Sequence, residues 1–204
     1  MKKNYEMDMC SGPILGKLLT FTIPLIFSGI LQLLFNAADV IVVGRFAGSQ
    51  SLAAVGSTTA LINLMINIFI GLSVGVNVIV ARYYGAKREK DVQDTIHTAM
   101  ALSIVSGLFL IIVGQLLSRP MLELMGTPDD VIDKSTIYMR IIFIGMPANM
   151  IYNFGSAILR AVGDTKRPLY FLTAAGVINV VLNLFFVIMF RMDVAGVALA
   201  TAIS

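Results

Sequence analysis

Residues 14–43 read ILGKLLTFTIPLIFSGILQLLFNAADVIVV, thirty positions interrupted by one charge near the start, Lys17, and one near the end, Asp39. About 20 helical residues cross a hydrocarbon layer ~30 Å thick, so the run is long enough to span a membrane. Lipid offers no partner to a free backbone N–H or C=O, which leaves helices or closed barrels as spanning structures. The run lacks the two-residue alternation of barrel strands, so it is read as a helix.

Working outward, the pattern repeats. Apolar runs follow at residues 52–81, 95–117, 128–161 and 168–190, and another starts near residue 194 and is still apolar at Ser204. Apolar residues make up 57% of the 204, charged residues 13%, and mean hydropathy is +0.87. Soluble domains carry about 25% charge, so the bilayer is the solvent. The fold expected is an all-α polytopic transmembrane helix bundle: one lobe, residues 1–204, with five complete spans and a sixth that is cut off, in a protein that continues beyond Ser204.

The connectors are short. Residues 44–51, GRFAGSQS, read as a tight turn of small residues. Residues 126–130, GTPDD, read as a helix start with Thr127 as N-cap, Pro128 in the first turn and acids behind it. Residues 163–168, GDTKRP, break the chain again. With the N-terminus inside, ten basic residues collect on the cytoplasmic side (Lys2, Lys3, Lys17, Arg82, Lys87, Arg88, Lys90, Arg160, Lys166, Arg167) and five outside (Arg45, Arg119, Lys134, Arg140, Arg191). That asymmetry predicts a cytoplasmic N-terminus in the cell membrane. The first thirteen residues are charged and show no cleavage site, so the first run is expected to be a retained span. Cys10 is the single cysteine and cannot form an intrachain disulfide or a cysteine metal cluster.

Asp39 is the acid set most clearly within an apolar run. A charge at bilayer depth costs about 2.5–3.5 kcal/mol on insertion scales, so something must offset it. Steps of three and four back along the helix reach Asn36, Gln32 and Ser28, which puts all four groups on one face. Asp39 is either an interfacial anchor or a protonatable or cation-binding carboxylate; the polar stripe behind it favours the second. Asn179 and Asn183 share a face of the fifth run, where their amide oxygens could join a carboxylate around Na⁺ or act as interhelical packing contacts. Pairs of the same spacing occur at Asn63 with Asn67, Ser73 with Asn77, and Asn149 with Asn153. Singly each pair suits packing; together they predict a water-accessible interior. Pro24 and Pro147 bend their helices, as static kinks or as bending points for alternating access. Gly71 and Gly75 are expected to be a packing face. His97 is read as a solvated helix-end residue.

Other classes are poorly supported. The basic residues lie between apolar runs and form no patch interleaved with aromatics, which gives nucleic-acid binding no basis. No HExxH, nucleophile elbow, phosphate loop or GxGxxG occurs, so no enzyme is expected and no cofactor beyond a coupling ion.

Several segments resemble the multidrug and toxic compound extrusion (MATE) family. They are IPLI at 23–26, NAADVIVVGR at 36–45, SLAAVG at 51–56, YYGA at 83–86, LRAVGDTKRP at 159–168, Asn179 with Asn183, and VAGVALAT at 194–201. The resemblance implies the N-terminal lobe of a twelve-helix, two-lobe antiporter that exports cationic or amphipathic small molecules across the cytoplasmic membrane in exchange for Na⁺ or H⁺. Its partners would be those small molecules, membrane lipid and a C-terminal lobe of the same protein. Carried over by position, Asp39 matches the first-helix acid, Asn179 and Asn183 the fifth-helix polar pair, and Thr201 the sixth-helix hydroxyl of the cation site. Some relatives have an acid where Asn183 stands, so a mechanism needing two acids is in doubt here. The competing readings are a flippase of lipid-linked oligosaccharides, which would need a strongly cationic cavity, a non-transporting membrane scaffold, and an intramembrane enzyme.

Overall fold

A computed structural model of the chain describes residues 14–204, and among these no strand occurs. Cys10 and the other terminal features, including Lys2 and Lys3, lie outside the described residues. The helices are α1 (Ile14–Val42), α2 (Ser49–Gly85), α3 (Glu89–Leu124), α4 (Asp129–Ile144), α5 (Met146–Ala161), α6 (Lys166–Leu184) and α7 (Asp193–Ile203). Four helical paths are long and apolar enough to cross a membrane, and α4 with α5 makes a fifth, bent by 50°. The chain is therefore a multi-pass membrane protein, with outward faces of exposed Leu, Ile, Val and Phe such as Ile26, Phe27, Leu33, Val105 and Leu116.

Several boundaries differ from the sequence expectation. Residues 44–51 are not an open turn: a π-helical turn, Val43–Ala47, prolongs α1, and only Gly48 (φ 86°, ψ 175°) separates it from α2. A continuous helix keeps its amides bonded up to the last residue, and one glycine in a conformation that L side chains rarely adopt suffices to reverse it. Thr127 does not cap α4. Gly126 (φ 70°) closes α3, whose last turn is satisfied by Gly126 N–H to Glu123 O (3.0 Å) and Thr127 N–H to Leu122 O (3.1 Å). This C-terminal arrangement consumes Thr127. Pro128 (φ −58°, ψ 144°) then stands at the cap position, its carbonyl accepting from Val131 and Ile132.

A different cap, Asp164, went unread in the sequence. It is buried, and its Oδ1 accepts from the backbone amides of Lys166 and Arg167 (3.1 Å each), starting α6 at Lys166 rather than at Pro168. An acid at a helix N-terminus satisfies amides that have no helical partner and complements the dipole.

The principal partner of α1 is α6, while α2, α3, α4 and α5 pack on one another and α7 lies against α4 and α6. Close approach is made by glycines, though not the expected ones. Gly71 and Gly75 are exposed with nothing within 4 Å of an added Cβ. Among the described residues these two positions bring no backbone nearer. Instead Gly107 meets Pro147, Gly114 the Phe143 ring, Gly145 the Ala202 backbone and Gly176 the Phe35 ring.

A methyl at position 114 would sit 2.1 Å from Phe143 Cγ, and Phe143 is fully buried. Gly114→Ala should therefore cost about 1–3 kcal/mol of overpacking and lower the thermal midpoint of the purified full-length protein, while Gly71→Ala should leave it in place. Equal midpoints for the two variants would refute this packing.

Candidate cation site and its cavities

Asp39 lies nine residues before Gly48, Asn183 ten before Asp193, and Thr201 eight after Asp193. The Val43–Ala47 turn and the π-helical turn Phe185–Met189 that follows α6 pack together, so these breaks close the same end of the bundle. At 1.5 Å per residue all three side chains sit roughly 12–15 Å along their helices from that end.

They meet there. The Asn183 amide donates from Nδ2 to Asp39 Oδ1 and to Asn179 Oδ1 (3.0 Å). Asn179 Nδ2 donates to Thr201 Oγ1 (3.2 Å), and the Thr201 hydroxyl donates to Val197 O (3.0 Å). One chain of hydrogen bonds thus joins α1, α6 and α7. Asn179 and Asn183 are buried and Asp39 is half-buried. Because the Asn183 nitrogen serves both oxygens, its own Oδ1 is left buried without a partner. An unsatisfied buried acceptor is rare and needs an explanation.

Two cavities flank Asp39. The smaller, about 210 Å³, lies towards α2 and α4 and is lined by Asp39, Asn36, Thr59, Asn63, Tyr138, Asn149 and Thr201 among others. A larger one, about 580 Å³, lies towards α5 and α6, with Gln32, Phe35, Tyr152, Asn153, Phe171 and Asn179 on its wall. Asn36, Asp39, Asn63, Gly145, Asn149 and Thr201 border both. Among the described residues lining either cavity, Asp39 is the only charged one.

The remaining sequence candidates divide. Gln32, Asn36, Asn63, Asn149 and Asn153 line the larger cavity. Asn153 also donates back to Asn149, to O at 2.9 Å and Oδ1 at 2.7 Å. Asn67 lines neither cavity and is exposed, and Ser28 is turned into its own helix, bonding Pro24 O at 2.9 Å. Asn77 ties α2 to α5 through Ala157 O (2.7 Å). Pro24 is buried within an unbroken α1, whereas Pro147 opens α5 directly after the bend at Gly145. His97 is exposed near the start of α3.

Sequence reading missed Tyr138, a buried phenol on the wall beside Asp39. Lys134 and Ser135 stand four and three residues before it, but Ile141 and Ile142 follow at the same steps, so the polar face stops at Tyr138 and its place beside Asp39 could not be read. The break falls at Gly145 and not at Pro147, since a proline fits the first turn of a helix, where no amide partner is lost.

Residues 24–185 match the MatE family model. The chain belongs to the MatE family. It is 35% identical over 188 residues to the probable multidrug resistance protein YoeA of Bacillus subtilis (strain 168), covering 90% of this chain and 41% of that protein. It is 28% identical over 201 residues to an FAD transporter of Shewanella oneidensis, covering 96% and 44%. A solved outward-facing structure of a multidrug resistance MATE family transporter superposes with a TM-score of 0.86 at 27% identity, over 92% of this chain and 41% of that one. MATE members are transporters, not enzymes. The chain spans about two-fifths of the length of these relatives.

If the Asn183–Asp39 bond organises the site, the two residues are energetically coupled. Asp39→Asn and Asn183→Ala, made singly and together in the full-length protein, should give a coupling energy of about 0.5–3 kcal/mol in thermal or denaturant unfolding. Additive effects would remove that bond as the organising contact.

Proposed function

We propose that the chain is the N-terminal lobe of a two-lobe antiporter that exports cationic or amphipathic small molecules in exchange for Na⁺ or H⁺, with its N-terminus in the cytoplasm. The observation that carries the reading is the position of Asp39: the sole charge among the described residues lining two cavities, set within an apolar helix and hydrogen-bonded to a second helix. A negative wall favours a cationic guest, and aromatic neighbours such as Phe35, Tyr152 and Phe171 suit an amphipathic one. Kinship with the probable multidrug resistance protein YoeA supports the same substrate class.

The donor set suits a monovalent ion. Asp39 is one carboxylate, the amide oxygens of Asn179 and Asn183 and the Thr201 hydroxyl are neutral hard ligands, and no group of three or more acids, histidines or cysteines occurs among the described residues. The orphaned Asn183 Oδ1 fits this role. Half a turn of that amide would exchange a donor for an acceptor beside Asp39, so the site can hold either an ionised carboxylate or a cation. Protonation of Asp39 would meet the same need with H⁺.

Coupling then follows from electrostatics. Ionised Asp39 favours the cationic substrate, and uptake of Na⁺ or H⁺ removes that attraction and releases it. One positive charge moving inward across 100 mV supplies ~2.3 kcal/mol, against ~1.4 kcal/mol for a tenfold change in occupancy. A flippase of lipid-linked oligosaccharides would need basic groups for a pyrophosphate, and the described cavity-lining residues include no Lys or Arg. The same lack argues against an anionic cargo like that of the FAD transporter.

Full-length protein in proteoliposomes, loaded with a cationic dye and given imposed Na⁺ or H⁺ gradients, tests the reading. Asp39→Asn should abolish gradient-driven efflux while the protein still folds; unchanged efflux would take Asp39 out of the coupling step.

A further inference from the structure

A second polar cluster lies at the end of the bundle closed by Gly48. Lys134 of α4 pairs with Asp193 at the start of α7 (Nζ to Oδ2, 2.7 Å) and donates to Ser51 Oγ of α2 (3.2 Å), and the Ser51 hydroxyl donates to Asp193 Oδ1. Ser51 is fully buried, while the Lys134 and Asp193 side chains are each 34% exposed. Three helices are thus clamped by one lysine, one aspartate and one serine, away from both cavities.

The segment entering α7 is strained. Arg191 (φ 52°) and Asp193 (φ 54°) both occupy the left-handed region, and such residues persist only where their surroundings hold them. Beyond Asp193, α7 is built mostly of small residues: Val194, Ala195, Gly196, Val197, Ala198 and Ala200, with Leu199 the one large side chain before Thr201. With one large side chain in two turns, ridges-into-grooves packing holds the rotation of α7 about its axis only weakly. Rotation matters two turns further on. Thr201 must present its hydroxyl to Asn179, and the adjacent Ala202 backbone would lie 2.9 Å from a Cβ at Gly145.

We propose that Ser51, Lys134 and Asp193 form an ionic latch that sets the rotation of α7 and so positions Thr201 in the Asp39 site. A helix turns as a body, so anchoring Asp193 fixes where Thr201 points. The inference rests on the coupling reading of Asp39. Asp193 and Lys134 are positioning residues, since neither borders a cavity.

The test uses the full-length protein in proteoliposomes with a cationic dye and graded Na⁺ or H⁺. Asp193→Asn and Lys134→Met should each raise the cation concentration for half-maximal efflux by about tenfold, the scale of one charge-assisted hydrogen bond, with the KM for dye held within about twofold. Thr201→Val should give the same shift, and combining it with Asp193→Asn should add nothing. Exchanging the charges, Lys134→Asp with Asp193→Lys, should restore the cation dependence lost in either single exchange, a rescue that simple misfolding cannot produce. Unchanged cation dependence in Asp193→Asn, multiplying effects with Thr201→Val, or equal damage to dye KM and cation dependence would overturn the latch. Asp39→Asn in parallel separates the two ideas: if it abolishes coupling while Asp193→Asn is silent, the latch alone fails; if it too is silent, the coupling site fails and the latch with it.

Discussion

The organising constraint is the cost of keeping a carboxylate away from water. At the depth of Asp39 an isolated negative charge is expensive, and a single amide hydrogen bond offsets part of it only if donor and acceptor helices stand close enough to touch. That requirement reaches into the packing of α1 on α6. The Phe35 ring occupies the space a side chain at Gly176 would fill, one turn before Asp39 and two before Asn183. With glycine there the two helices approach, and the Asn183 nitrogen reaches Asp39 Oδ1. An apolar contact of two residues thus sets the separation that the polar contact needs.

The second constraint is backbone satisfaction at the bend between α4 and α5. A chain in lipid cannot leave amides unpaired, yet the bundle needs an opening for its cavities. Gly145 and Pro147 resolve this together. The Gly145 amide bonds back to Ile142 O (3.0 Å), its carbonyl accepts from Asn149 N (3.3 Å), and Pro147 has no amide to lose. The 50° bend falls where both cavities pass, and Gly107 lets α3 close against Pro147 behind it. The irregular backbone is tolerated because it is packed on one side and lines a cavity on the other.

Much of this was legible in sequence, for reasons that differ by residue. The existence of the helices followed from length and hydropathy, which act over twenty positions and average out local noise. Asp39, Asn36 and Gln32 were legible because an α-helix places residues three and four apart on one face, and here that face meets a cavity. The same periodicity misled at Asn67 and Ser28, since it reports a shared face of one helix and not what the face meets. Gly71 and Gly75 failed for that reason too, while Gly107, Gly114 and Gly176 matter through partners in distant segments. Helix ends were displaced wherever a neighbouring cap competed: Thr127 was consumed by α3, and Asp164 captured amides that the sequence had assigned to a break. Tyr138 shares a face with Lys134 and Ser135, but its place beside Asp39 arises only from how α4 is set against α1 and α2.

The neutral amides around Asp39 have a consequence for any exchange carried out there. Asn179, Asn183 and Thr201 cannot change charge in the physiological range, so in the proposed exchange the electrostatics of the cavities would change only through Asp39. A second acid in place of Asn183 would raise the cost of ionising both and spread the titration over two coupled steps. One acid with amide partners instead gives a single transition between a negative wall and a neutral one. Asn183, the amide in contact with Asp39, can donate to an ionised carboxylate or, turned over, accept from its protonated form, so neither state leaves Asp39 without a partner. In the proposed exchange both states would have to be reached, and an amide, having both donor and acceptor, can serve each without moving the backbone.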